Sequence, residues 1–141
     1  MKLRTYIKPL IIVAFLTTGL TMQSQTQGKE ATDMMFRISE IEIFPEHLDA
    51  YTAILKEEAA ASVRLEPGVI SIFPLYQKED LNVFRILEIY ASKEAYQAHL
   101  QTPHFKHYKE STLNMVKSLK LVDMNVLDDS VIELIFKKQK I

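Results

Sequence analysis

The chain has 141 residues, room for one domain, and its 48% hydrophobic and 25% charged residues are the balance of a globular protein. A net charge of −1 gives no basic surface for nucleic acid. The absence of cysteine excludes disulfides, thiolate catalysis and cysteine-ligated metal.

Residues 1–24 stand apart from the fold. Lys2, Arg4 and Lys8 precede an apolar run over residues 10–20, and the polar "QSQTQ" follows it. A basic start, a short apolar core and a polar exit are the parts of a secretory signal, with cleavage expected near Ser24/Gln25. The run is shorter than the roughly 20 residues a membrane span needs. No cysteine follows it to carry a lipid, and an uncleaved N-terminal anchor is the alternative. The protein is therefore expected outside the cytoplasm, periplasmic or extracellular, with no membrane contact once the signal is removed. Residues 25–34 read as a disordered polar leader, 35–127 as the domain and 128–141 as a C-terminal extension.

The domain opens on "MMFRISEIEIF", a strand closed by Pro45. Phe36 and Ile38 share one face and Ile41 and Ile43 the other, so both faces are expected to be covered. Glu40 and Glu42 read as solvated. After Pro45 the period lengthens to that of a helix: Leu48, Tyr51, Leu55, Ala59 and Ser62 or Val63 form one stripe. Glu46, Asp49, Lys56 and Glu57 or Glu58 fall on the surface. Pro67 and Gly68 end the helix. "VISIFPLYQ" is a second strand, and Pro74, unable to donate to a ladder, marks an edge or a bulge. The turn "KEDLN" leads to a third strand, "VFRILEIY", completing a hairpin.

Ser92 caps a short helix, "SKEAYQAHLQ"; Thr102 caps the next, with Pro103 at its first position. "SLKLVDMNVL" is a fourth strand. "VIELIF" reads as a fifth strand or, with Ser130 and Glu133 as a capping box, as a short helix. The order β-α-β-β-α-β predicts an α+β, ferredoxin-like fold: an antiparallel sheet with helices on one face. An apolar second face needs a cover, and a second copy is the simplest, which predicts a homodimer.

Two places carry candidate chemistry. "AHLQTPHFKHYKE" holds three of the four histidines. His104 lies near a helix N-terminus, where the dipole favours the neutral imidazole that proton transfer needs. His99 sits at the end of the preceding helix, and with His107 it reads as peripheral. His104, His107 and Glu110 share a face, with His99 nearby, but their spacing matches no recognised metal pattern and no metal is expected. The second place is Glu88 in "RILEIY", on one face with Phe84, Ile86 and Tyr90 while Arg85 points away. A carboxylate among apolar neighbours needs a partner, and burial raises its pKa. It is either a structural hydrogen-bonding group or a pocket acid. No glycine-rich phosphate loop and no GxSxG elbow occurs.

"LEPGVISI", "FRILEIYASKEAYQAHLQTPHFKHY" and "LKLVDMNVL" resemble the antibiotic biosynthesis monooxygenase (ABM) family, over residues 36–127. The resemblance is strongest at Glu88, Tyr90, His99 and Thr102-Pro103-His104. It implies a dimeric α+β barrel with pockets between sheet and helices. It also implies oxidation of quinol-like or aromatic phenolic small molecules by O₂ without metal, flavin or other cofactor. His104 and Glu88 would then be base and hydrogen-bond partner, and Phe36, Phe73, Phe84, Tyr90, His99 and Phe105 would line an apolar box. The haem-degrading branch uses a tryptophan that this chain lacks. A branch that isomerises a phosphorylated autoinducer shares the "TPH" segment. A small-molecule-binding dimer without chemistry is a further reading.

Overall fold

A computed structural model describes residues 33–138. The expected signal segment and nearly all of the expected leader lie outside the described residues. Strand β1 (Met35–Ile43) leads through a 3-10 turn (Pro45–His47) into helix α1 (Leu48–Leu65). Then come β2 (Val69–Tyr76), β3 (Val83–Tyr90), α2 (Lys93–His99), α3 (Pro103–Thr112), β4 (Val116–Met124) and α4 (Asp129–Lys138). The four strands are antiparallel in the order β2-β3-β1-β4, the ferredoxin-like arrangement.

Alternation along the strands decides what meets the helices. On β1, Arg37, Ser39, Ile41 and Ile43 are buried; on β3, Phe84, Ile86 and Tyr90 are. Register places Ser39 opposite Ile86 and Ile41 opposite Phe84, so these side chains share the covered face. Tyr51 of α1 meets Phe84 edge-on at 5.1 Å, and Tyr96 of α2 meets Tyr90 at 5.3 Å, which ties both helices to that side. Tyr51, Ile43 and Tyr90 are among the most deeply buried side chains. α1 packs on β2 and on α3. The edge position of β2 accounts for Pro74, which sits where a missing N–H costs no ladder bond.

Among the described residues, α1 and α2 both lie on the covered side, and the other face keeps large apolar side chains open. Phe73, Leu75, Leu87 and Met124 are exposed there, beside Phe36, Ile38 and Ile89. The edge strand β4 is bare even on the helix side, where Leu119 and Leu121 are exposed. The expectation of a dimeric α+β barrel is overturned. Among the described residues, β2 and β4 are unjoined edges of an open sheet. Four strands cannot curl closed, since a filled small barrel takes about eight tilted strands.

Two local expectations are resolved. Of Glu57 and Glu58, either of which was expected on the surface of α1, Glu57 is exposed and Glu58 is 5% exposed, because the spacing of Glu58 from Tyr51, Leu55 and Ser62 puts it on the buried stripe. Val63 is exposed, so Ser62 completes that stripe. At the C-terminal end, residues 131–136 form helix rather than a fifth strand. Its cap is Asp128 rather than Ser130: Asp128 Oδ1 accepts from the Ser130 N–H at 2.9 Å and from its hydroxyl at 2.7 Å. α4 buries no residue, and Val131, Leu134 and Ile135 are exposed.

Candidate functional site

The site forms where α1 ends, α2 ends and α3 begins. After Leu65 the chain turns extended at Glu66, whose N–H still donates to Ser62 O at 3.1 Å. Gly68 follows, and a Cβ there would lie 2.5 Å from the Ala95 Cβ. Only a glycine lets α2 seat this closely. The Ala91 N–H donates to Gly68 O at 2.8 Å, fixing the approach. Ser92 caps α2 by accepting from the Ala95 N–H at 3.2 Å. The Thr102 hydroxyl donates to His99 O at 2.8 Å and accepts from the Phe105 N–H at 3.3 Å. One side chain thereby closes α2 and opens α3, turning His99 and His104 toward the same place.

That place is the Glu66 carboxylate. His99 Nδ1 lies 2.9 Å and His104 Nε2 2.5 Å from the same oxygen, Oε1. His99 is 2% exposed, so it is central rather than peripheral as expected, while His104 keeps 19% of its side chain open. Behind His99, its Nε2 is 3.7 Å from Glu58 Oε1, and Glu58 accepts from the Ser62 hydroxyl at 2.7 Å. Burial pushes the Glu58 carboxyl above its ordinary value, against the pull of Ser62, His99 and His104. Burial also works to raise Glu66, but the hydrogen bonds and charge of the two imidazoles outweigh it and hold Glu66 below its ordinary value. Glu66 is thus the ionised acceptor. In the neutral tautomer that donates Nε2–H to it, Nδ1 of His104 is the nitrogen that carries a lone pair.

A second polar group lies along the covered face. Glu88 accepts from the Ser39 hydroxyl and, at 2.9 Å, from the Tyr90 hydroxyl. Burial, with the charge of Glu88 beside it, pushes the Tyr90 phenol well up. Next to Glu88 in register, Arg37 binds Asp123 at 2.7 Å and lies 4.5 Å above the Tyr96 ring. A groove of about 320 Å³ opens there, lined by Met35, Phe36, Arg37, Tyr96, Asp123 and Met124 among others. Beyond α1, the Tyr51 and Tyr108 hydroxyls meet at 2.9 Å, and burial pushes Tyr108 up to about 12.

Residues 34–111 match the sequence profile of antibiotic biosynthesis monooxygenases. The chain belongs to this ABM family. A solved structure from Bacteroides thetaiotaomicron, named as a candidate antibiotic biosynthesis monooxygenase, is 50% identical, with a TM-score of 0.68 over 69% of this chain and 92% of that one. A candidate monooxygenase from Lactobacillus acidophilus is 28% identical, with a TM-score of 0.65; the match takes in 68% of this chain but only 46% of that one. A candidate antibiotic biosynthesis monooxygenase from Nitrosomonas europaea, 21% identical with a TM-score of 0.63, shares the fold. No curated protein matches the chain.

Within this ABM domain the expected residues divide. Phe84, Tyr90, His99, His104, Phe105 and Glu88 gather on the covered side, where the Phe105 ring lies 4.6 Å from His99 and Tyr90 lies 5.5 Å from it. His104 and Glu88 do not bond to each other: His104 is held by Glu66, and Glu88 by Ser39 and Tyr90. Phe36 and Phe73 point to the opposite face, because they alternate with Arg37 and Ile72, and they cannot line the same box. His107 is exposed, near Ser111 at 3.4 Å. Glu66 and Glu58 were missed. Glu66 stood in the "EPG" stop signal, and Glu58 fell at helical spacing from Tyr51 and Leu55.

Proposed function

We propose that the chain is a monooxygenase of quinol-like or aromatic phenolic small molecules that uses no cofactor of its own. The observation that carries this reading is the partly open His104 imidazole bound through Nε2 to a carboxylate held ionised. A carboxylate in that position orients the ring and stabilises the imidazolium, as in other carboxylate-imidazole pairs. Nδ1 then takes the proton of a substrate hydroxyl. The resulting electron-rich anion reduces O₂ itself. A quinol and O₂ give a hydroxyquinone and water: one oxygen atom enters the ring carbon, the other leaves as water, and all electrons come from the substrate. Glu88, with lone pairs beyond those used by Ser39 and Tyr90, accepts from the substrate's second hydroxyl. Phe105 and Tyr90 supply aromatic walls, and exclusion of water protects the anion.

The same reading takes the protein as exported, on the strength of its N-terminal segment. It also takes it as a homodimer in which a second copy covers the bare sheet face carrying Phe73 and Leu87. Export is tested by the N-terminal residue of the protein recovered from cells, and the dimer by light scattering.

The test of the chemistry is O₂ uptake by the full chain with a menadiol-type quinol after chelator treatment. Turnover is expected, and His104→Ala is expected to lower kcat while KM stays within a few-fold. A mutant as fast as the parent removes His104 from the reaction. A carboxylate-imidazole relay also suits proton movement between adjacent carbons, as in an isomerase. Solvent deuterium entering a hydroxyketone without O₂ uptake would favour that second reading.

A further inference from the structure

Glu66 Oε1, His99 Nδ1 and His104 Nε2 converge from three separate elements, with all three ligand atoms within 4.8 Å of one another. We propose that these three side chains form a binding site for a divalent first-row transition cation, with the remaining coordination positions open to water or an anion. The spacing of the histidines alone gave no such expectation, because the third ligand comes from the end of α1.

The donor set fits. Two imidazole nitrogens and one carboxylate oxygen suit Zn²⁺, Fe²⁺, Co²⁺ or Cu²⁺ rather than Mg²⁺ or Ca²⁺, which prefer all-oxygen shells. Metal–ligand distances of roughly 2.0–2.2 Å in a tetrahedral shell put ligand atoms about 3.4 Å apart. The present contacts of 2.9 and 2.5 Å need to open by less than about 1 Å, which rotation of the carboxylate supplies. On binding, each neutral imidazole presents a lone pair at the ligating nitrogen and carries its proton on the other, Nε2 of His99 and Nδ1 of His104.

The surroundings are those of a built site. The far nitrogen of His99 faces Glu58, which is anchored by the Ser62 hydroxyl. A carboxylate behind a ligand imidazole fixes its ring and tautomer in metal centres. The Thr102 hydroxyl holds the backbone on which both histidines are mounted. His104 and Glu66 retain 19% and 12% side-chain exposure, so two of the three ligands reach the surface while His99 is buried.

Binding of the cation does not depend on the oxidation proposed above. If that oxidation occurs, the two compete, since His104 cannot hold a cation and take a substrate proton at once. Zn²⁺ would then inhibit.

The test uses the untagged full chain, stripped with chelator and titrated with Co²⁺. A 1:1 complex with a visible ligand-field band, displaced by Zn²⁺, is expected. Glu66→Gln and His104→Ala should each weaken binding by at least about 100-fold, and Glu58→Gln by roughly 10–100-fold. His107→Ala, on the exposed side of α3, should leave binding unchanged. X-ray absorption on the parent complex, which needs no variant to fold, should show two imidazoles in the first shell. Absence of stoichiometric binding overturns the site, as does parental affinity in both ligand variants or a shell with fewer than two imidazoles. Stoichiometric Co²⁺ binding, together with no O₂ uptake by the chelator-treated, metal-free chain, would leave the site standing and count against the oxidation alone.

Discussion

The two faces of the sheet invert the usual division of labour. The face under the helices carries Arg37, Ser39 and Glu88 among its apolar neighbours, and every one of them is paired. The bare face carries Phe73, Leu75 and Leu87, all exposed among the described residues. Burying polar groups costs stability unless each finds a partner, so a core that keeps several of them holds them for a task. An apolar surface left open marks association rather than folding. The covered face is therefore where chemistry is expected, and the open face where a second molecule is expected.

The sharpest break of this contrast is His104→Ala. With a base removed, turnover should fall by about 10²–10⁴. The fold should survive, since the ring is partly exposed; circular dichroism checks that.

The next test compares one phenylalanine from each face. Phe84→Ala removes a ring 2% exposed beneath Tyr51 and should cost about 3–5 kcal/mol in urea unfolding. Phe73→Ala should cost under about 0.5 kcal/mol in a dilute monomer. It should instead weaken self-association if a second copy sits on that face. Equal losses at the two sites would erase the distinction between the faces. Gly68→Ala falls between, at roughly 1–3 kcal/mol, because the new methyl meets Ala95 and lifts α2 from its seat.

Smaller effects come from the two carboxylates around His99, measured by unfolding in chelator. Glu66 is held below its ordinary 4.5, so its contribution is present above that pH and is lost as pH falls through the lower folded value. Glu66→Gln should flatten the acid limb of the stability curve. Glu58 is raised above 4.5, so its contribution is present below that pH and is lost as pH rises through the folded value. Glu58→Gln should remove that decline on the way to neutrality. The smallest change expected is Leu134→Ser on α4: under about 0.5 kcal/mol, since α4 buries no residue.

Much of this was legible in the residues. Alternation separated Phe36 and Ile38 from Ile41 and Ile43 on the first strand and grouped Phe84, Ile86, Glu88 and Tyr90 on the third. It did not say which face of one strand joins which face of the other, so Phe36 was expected in one box with Phe84, which the register excludes. Ser92 and Thr102 cap the helices they were expected to cap. What sequence could not carry was distance through space. Glu66 lies 33 and 38 residues from the histidines it joins, and nothing in either segment announces the other. Glu58 was hidden by its charge, which argued for the surface against a spacing that argued for the core. The barrel failed because closure depends on strand number and tilt, which the element order does not encode.

The most direct measurement is a single turnover of a menadiol-type quinol under ¹⁸O₂ with the chelator-treated full chain and with His104→Ala. The account expects one labelled oxygen in the quinone product and the other in water, with product forming about 10²–10⁴ times more slowly in the variant. Product without label, or equal rates in the two proteins, would contradict it.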